Sequence, residues 1–232
     1  MTRPRLLDLF CGAGGAAMGY HRAGFDVFGV DIKPQPRYPF PFAQMDALAA
    51  FQIGFHTADG EHWHRGDFDA IHASPPCQGY SLMQNYGAPP QAKLIAPMLA
   101  LLMPLSVPWV IENVVSNSAR RELRAPSVVM ICGASFGLGA AGLDLNRHRL
   151  FGSNELLMVP KCQHRRGLTI GVYGHGTNSW HRKKMGRNIT MAERRSAMGI
   201  DWMRRGEDSE AIPPAYTEFI GGQLLRAIEQ AA

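Results

Sequence analysis

The sequence predicts an α/β fold, a doubly wound and mostly parallel sheet with a small, variable basic segment set into it late in the chain. Three observations carry the prediction. Compact apolar runs alternate with helix-patterned stretches from the N-terminus onward, the order that builds parallel strands joined by crossover helices. Gly12, Gly14 and Gly15 fall between the first apolar run and the first helical stretch, where a missing Cβ lets a ligand approach the backbone. Polar and reactive side chains stand at the ends of later runs, where such sheets bind ligands.

Taken in order, Leu6 to Phe10 reads as a buried strand and Gly15 to Ala23 as the helix that follows. Asp26 to Asp31 is the second strand, and a proline-rich connection leads to Ala43 to Phe51, a short strand or turn. Asp69 to Ala73 is a further strand, and Gln91 to Leu105 is a helix interrupted near Pro97. Trp109 to Ile111 forms a strand ending at Glu112 and Asn113, and Val128 to Cys132 and His148 to Phe151 add two more. The 232 residues suit one such domain. The expected division is a core over 1–152, a short variable segment over 153–188, and C-terminal helices over 189–232 that return to the core.

With 46% hydrophobic and 19% charged residues the chain has the composition of a soluble globular protein, and no apolar run is long enough to cross a bilayer. No secretory pattern opens it, so a cytoplasmic location is expected. Cys11, Cys77, Cys132 and Cys162 are widely spaced without a Cys-x-x-Cys pair, which argues against a disulfide framework and a ribbon-type zinc site. The net charge of +5 is uneven: Leu143 to Arg205 holds 13 Lys and Arg against 4 Asp and Glu, so the rest of the chain is net acidic. Lys161, Arg165, Arg166, Arg182, Lys183, Lys184 and Arg187, interleaved with Tyr173 and Trp180, read either as a surface for nucleic acid or as a solvated basic face.

The octapeptide Ser74-Pro75-Pro76-Cys77-Gln78-Gly79-Tyr80-Ser81 follows a strand directly, and its diproline fixes the backbone on which Cys77 sits. Two readings stand: a nucleophile presented on a preformed loop, or an ordinary turn with a half-buried cysteine. The glycine turn and Asp31, whose carboxylate closes the second strand within reach of ribose hydroxyls, suggest an adenosine-containing cofactor. The same spacing suits a dinucleotide enzyme.

These motifs, with others in the same order, resemble the DNA (cytosine-5)-methyltransferase family, and the short length with Ile212-Pro213-Pro214-Ala215-Tyr216 is similar to its compact bacteriophage members. The resemblance runs from Leu6 to about Leu225, except for the variable stretch. It implies a Rossmann-like fold that binds S-adenosylmethionine through Phe10, Cys11, Gly12, Ala13, Gly14, Gly15, Asp31, Ile32, Asp46, Ala47, Pro76 and Ile212. It also implies Cys77 as the nucleophile that adds to carbon 6 of cytosine, Glu112 as the acid at ring nitrogen 3, and Arg149 as donor to the carbonyl oxygen at carbon 2. Arg147 supports the loop or a phosphate, and the nearby positive charge favours the Cys77 thiolate. Double-stranded DNA is the implied partner, met by a monomer with the base extruded.

The loop from Gln78 to Gln91 is a candidate for closing over that base. Gln78, Ser81, Arg165, Arg166, Arg182, Lys183 and Lys184 are the candidate DNA contacts. No metal is expected, because Cys162-x-His164 followed by His175 and His181 is not a recognised pattern. One departure is Glu210, which stands where relatives usually carry an asparagine before the final Pro-Pro and so places an acid beside the cofactor pocket. Two other readings remain, an RNA enzyme of the tRNA cytosine-5 type and a non-catalytic nucleic-acid-binding scaffold. Gly79-Tyr80-Ser81, in place of the threonine usual in the RNA enzymes, favours DNA.

Overall fold

The computed structural model describes residues 2–57, 59–80, 92–165, 167–173 and 186–231. Its strands in chain order are β1 (Arg5–Leu9), β2 (Asp26–Asp31), β3 (Phe42–Gln44), β4 (Phe55–His56), β5 (His62–Trp63), β6 (Ala70–Ala73), β7 (Trp109–Val114), β8 (Ser127–Ile131), β9 (Gly139–Ala140), β10 (Leu143–Leu145), β11 (Arg149–Ser153) and β12 (Thr169–Ile170). The helices are α1 (Gly15–Ala23), α2 (Ala47–Ile53), α3 (Ile95–Leu102), α4 (Asn117–Glu122), α5 (Met191–Met198), α6 (Glu207–Glu210) and α7 (Pro214–Ala231).

Seven strands form the central sheet in the order β3-β2-β1-β6-β7-β11-β8. Neighbours are parallel except β11, which runs antiparallel to both β7 and β8. The mostly parallel, doubly wound sheet read from the sequence is therefore the observed one. Its order reverses direction at β1, with β2 and β3 on one side and β6 and β7 on the other, so the loops after β1 and β6 diverge and leave a crevice.

Both faces of the sheet are covered, which is why β1 and β6 are nearly continuous apolar runs. Side chains alternate across a strand, so Leu7 and Leu9 join Val30, Phe51, Ile71 and Trp109 in one core layer, while Leu6 joins Tyr20, Val27 and Tyr216 in the other. In the second layer α1 lies close against α7. A Cβ on Gly19 would stand 2.1 Å from the carbonyl oxygen of Pro214, and one on Gly15 would stand 2.5 Å from that of Ile212. Thr217 seals the contact by donating its hydroxyl to the Ala16 carbonyl at 2.8 Å.

Several elements differ from the sequence reading: α3 spans Ile95–Leu102 instead of Gln91 to Leu105, and β7 runs through Glu112 and Asn113 to Val114. Ala43 to Phe51 is a strand followed by a helix, because Asp46 caps α2 by accepting from the Ala49 amide at 2.9 Å. Pro97 does not interrupt α3, since it lies in the first turn, where backbone N–H groups have no partner within the helix. A third apolar cluster joins Leu143, Leu145, Ile170 and Val172 to Ala197, Met198, Ile200 and Met203, beneath the small sheet β12-β10-β9. This lobe thus draws on residues before 152 and after 188 as well as between them. Among the described residues no helix is long and apolar enough to cross a membrane.

Candidate active site

The crevice at the reversal of strand order opens into a cavity of about 480 Å³. One part of its wall comes from the turn after β1. Phe10 and Gly12 adopt φ of 58° and 52°, and a Cβ on Gly12 would meet nothing, so the turn leaves open space for a ligand. The Gly12 amide donates to Asp31 Oδ2 at 3.0 Å and the Lys33 amide to Oδ1 at 2.9 Å, which fixes the Asp31 carboxylate at the cavity edge. Cys11, Ala13, Gly15, Ile32 and Ile212 also line the wall.

The opposite part carries the reactive groups Cys77, Glu112 and Arg149, with Pro76 and Gln78 beside them. Cys77 opens a short 3-10 turn after β6. Asn113, fully buried on β7, donates its side-chain amide to the Pro75 carbonyl at 2.9 Å and accepts from the Val114 amide at 3.0 Å. The diproline is thus tied to the strand that carries Glu112. Tyr80 anchors the other end of the turn, donating to Glu122 at 2.7 Å and accepting from the Ile95 amide at 2.9 Å. Tyr80 and Gly79 are buried, so these two residues of the expected closing loop are fixed, and the rest of that loop, 81–91, lies outside the described residues.

Arg149 Nε lies 3.0 Å from Glu112 Oε1, and both side chains are 8% exposed. The contact is Coulombic and lacks hydrogen-bond alignment, since Glu112 Oε1 has no directed donor. Burial pushes the Glu112 carboxyl up, and Arg149, Arg147 and the Ser74 hydroxyl pull against this without reversing it. A buried chain stands behind the acid. Ser74 bonds Glu112, His72 Nε2 is 2.7 Å from Ser74 Oγ, and Tyr20 Oη is 2.9 Å from His72 Nδ1. Burial holds His72 neutral, with its pKa pulled down to about 3. With Ser74 donating to Glu112, the Ser74 oxygen accepts from His72 Nε2–H and the Tyr20 hydroxyl donates to Nδ1.

Electrostatics at Cys77 run against the sequence reading. Burial pushes its thiol up and Glu112 adds to the effect, while Arg149 and Arg147 favour the thiolate but are outweighed. Two desolvated guanidinium groups with their own partners cannot overcome the loss of water around sulfur. Arg147 is fully buried and donates to the carbonyls of Val172 at 2.6 Å, Ser209 at 2.8 Å and Ala211 at 2.6 Å. It therefore binds the small lobe to the segment before α7, and its burial removes the phosphate role.

Other sequence candidates fall elsewhere. Gly14, Asp46 and Ala47 are not among the cavity-lining residues; the Asp46 carboxylate serves its helix, and a Cβ on Gly14 would stand 2.8 Å from Pro39. Arg165 is paired with Asp144 in a two-pronged contact, Nη2 to Oδ1 at 2.9 Å and Nε to Oδ2 at 3.1 Å, which commits this guanidinium within the small lobe. Ser81, Arg166, Arg182, Lys183 and Lys184 lie outside the described residues, as do Trp180, His175 and His181. Glu210 does line the cavity, with Glu207. Glu207 is held by the Arg37 guanidinium and accepts from the Arg204 amide at 2.9 Å.

Sequence reasoning missed Asp8, fully buried on β1 and on the cavity wall. Its Oδ1 has no partner and its Oδ2 accepts from Tyr38 at 3.4 Å, while burial, reinforced by Asp31, pushes the carboxyl well above its usual range. An acid inside an otherwise apolar strand was the available signal, because burying one is costly without a function or a partner.

Such a crevice, with an acid-edged glycine turn at one end and a thiol beside a buried carboxyl at the other, defines an α/β group-transfer enzyme. The model of the family described as C-5 cytosine-specific DNA methylase matches residues 4–121, half of the chain, and the chain belongs to that family, whose chemistry is methylation of cytosine at carbon 5. Over 92 residues it is 37% identical to the Type II methyltransferase M.XorII of Xanthomonas oryzae pv. oryzae, a match covering 36% of this chain and 21% of that protein. The chain thus spans about a fifth of the length of that curated relative.

Among solved structures it is similar in fold to the Dnmt2 methyltransferase of S. pombe, with a TM-score of 0.60 at 15% identity, covering 97% of this chain and 99% of that one. It is likewise similar to a candidate DNA modification methyltransferase encoded within an E. coli prophage, with a TM-score of 0.57 at 16% identity, covering 98% and 99%. The cavity's residues fit the cofactor expected of this family. Its volume lies in the range of small-molecule sites, Asp31 offers acceptors at one edge, and the unpartnered Asp8 Oδ1 and the Glu210 carboxylate suit a cationic ligand.

Proposed function

We propose that this chain transfers a methyl group from S-adenosylmethionine to carbon 5 of cytosine in double-stranded DNA, through a transient covalent bond between Cys77 and a base swung out of the duplex. The observation that carries this reading is the convergence of Cys77, Glu112 and Arg149 on one part of a single cavity whose other part is the glycine turn and Asp31. Asp31 and the turn would hold the cofactor, which when bound would supply an electrophilic sulfonium methyl.

Cys77 adds to carbon 6 and breaks the ring's aromaticity, which turns carbon 5 into a nucleophile. Glu112, whose carboxyl burial pushes up, is the donor of the proton to ring nitrogen 3 as electron density arrives there. Arg149 holds Glu112 in place and presents its remaining donors to the carbonyl oxygen at carbon 2. After methylation the proton on carbon 5 passes to solvent, the sulfur–carbon bond breaks to release the Cys77 thiolate, and ring nitrogen 3 returns its proton to Glu112. Because burial pushes the Cys77 thiol up, its proton passes to solvent as sulfur adds to carbon 6, a cost that the charges of Arg149 and Arg147 partly offset. A paired cytosine hides carbon 6 in the duplex, hence the extruded base. The basic stretch within Leu143 to Arg205 supplies the counter-charge for DNA, and a monomer suffices for that contact. A modification that shields DNA from a restriction enzyme, in bacteriophage or host, fits the likeness to a Type II methyltransferase.

The test is nucleoside mass spectrometry of DNA and tRNA from a host lacking cytosine methylation that expresses either this chain or its Cys77→Ala form. 5-Methylcytosine in DNA with the intact chain alone supports the reading. Modification confined to tRNA would replace it with the RNA enzyme, and none in either would leave a scaffold.

A further inference from the structure

We infer that Cys132, His148, Cys162 and His164 form a structural zinc site that fastens the strand bearing Arg149 to the connection leading into the basic segment. Each residue offers one ligand atom, and all four atoms lie within 4.8 Å of one another. Cys162 Sγ is 2.9 Å from His164 Nδ1 and 3.3 Å from His148 Nε2, and Cys132 Sγ is 3.8 Å from His164 Nδ1. A tetrahedral zinc ion with bonds of about 2.3 Å to sulfur and about 2.0–2.1 Å to nitrogen sets its ligand atoms roughly 3.3–3.8 Å apart. The separations of 2.9, 3.3 and 3.8 Å straddle that range and no pair exceeds 4.8 Å, so side-chain rotations are enough to bring the four atoms onto a tetrahedron.

The donor set selects the metal. Two thiols and two imidazoles without a carboxylate suit zinc and disfavour calcium and magnesium, which take oxygen. Four protein ligands leave no open position for water, as in structural sites. Two thiolates neutralise the ion's charge, so the site adds no net charge near Arg147 and Arg149. Forming it releases the two thiol protons, including the one that Cys132 directs to the Leu145 carbonyl at 3.5 Å.

Its place in the fold gives it a purpose. Cys132 directly follows β8, His148 immediately precedes β11, and Cys162 and His164 belong to the long connection between β11 and β12. His148 stands between Arg147, which holds the carbonyls of Val172, Ser209 and Ala211, and Arg149, which meets Glu112. Among the described residues from Asn154 to Leu168 there is no helix or strand, and the segment is held by side-chain bonds such as the Met158 amide to Gln223 at 2.8 Å and the Ser135 hydroxyl to the Lys161 carbonyl at 3.0 Å, so a metal adds an anchor where secondary structure supplies none. Sequence spacing concealed the site because its ligands come from three separate segments.

The test uses the full chain, purified under reducing conditions from zinc-replete cells, and is read without reference to methyl transfer, so it stands or falls apart from the proposed activity. Metal analysis by mass spectrometry is expected to find about one zinc per chain. Cobalt(II) added to chelator-treated protein is expected to give thiolate-to-cobalt charge-transfer absorption and the strong visible bands of a tetrahedral ion. In case Cys132→Ser and Cys162→Ser fail to fold, alkylation of the wild-type chain provides the second readout. Cys162 is exposed, so its alkylation should be slow with zinc bound and at least ten-fold faster after chelation, while Cys77 alkylates equally in both. Substoichiometric zinc together with unprotected Cys162, or a Cys132–Cys162 disulfide in the reduced preparation, would overturn the assignment.

Discussion

Asn113 reaches from β7 to the Pro75 carbonyl at 2.9 Å and thereby couples the strand that carries the acid to the loop that carries the thiol. Neither side chain reacts, yet the bond sets the spacing of the two groups that do. Replacing Asn113 by Ala leaves the Pro75 carbonyl buried without a donor, at a cost of about 1–3 kcal/mol. Thermal unfolding should show that loss, and kcat should fall more than KM rises. An unchanged kcat would mean that the diproline alone holds Cys77.

Glu112→Gln removes the carboxyl that donates the proton. The expected loss in kcat is about 10²–10⁴-fold, the usual contribution of a positioned general acid. Because Glu112, once ionised at the alkaline pH where Cys77 titrates, opposes ionisation of Cys77, the same variant should lower the pH at which Cys77 becomes alkylated, read by mass spectrometry of its peptide. A midpoint that stays in place or rises would contradict the charge coupling.

Ser74→Ala cuts the chain from Tyr20 through His72 to Glu112. Ser74 is a positioning residue. Its hydroxyl is one of the groups that hold the Glu112 carboxyl down, so its removal should push that carboxyl further up. The alkaline limb of the kcat profile should move to higher pH, an effect that a purely structural defect would not produce.

Arg194 on α5 and Asp208 on α6 form a buried pair, with Nη2 to Oδ1 at 2.9 Å and side chains 4% and 1% exposed. Burial pushes the Asp208 carboxyl up, but its hydrogen bonds and the charge of Arg194 outweigh this and hold it below its usual range. A carboxyl lowered in the folded state contributes stability that is present above its unfolded pKa of about 3.9 and lost as pH falls through the lower folded value. Asp208→Asn leaves Arg194 buried without its counter-charge and should cost about 3–5 kcal/mol near neutral pH. Acid-unfolding curves of the two proteins should converge at low pH.

Glu210→Gln tests the acid beside the cofactor pocket. Calorimetry should find S-adenosylmethionine bound about two- to five-fold more weakly, with S-adenosylhomocysteine, which lacks the sulfonium charge, affected less. Equal losses for both ligands would place Glu210 outside the electrostatic reach of the sulfur.

Much of the architecture was legible because it follows from local chemistry. The α1 helix and β2 have the limits read from the sequence, since glycines and a strict apolar pattern punctuate them. The α2 helix escaped notice because its signal is one capping aspartate whose carboxylate had another reading.

Roles that depend on who stands opposite were not legible. The sequence alone determined a doubly wound sheet and the residue types at its strand ends, because strand periodicity, glycine turns and a diproline act within a few residues of themselves. Only the tertiary structure decided that Arg147 is buried against three carbonyls, that burial outweighs positive charge at Cys77, and that Cys132 and His148 meet Cys162 and His164. Desolvation and ligand convergence are properties of the space between segments far apart in the chain, and no local pattern of residues encodes them.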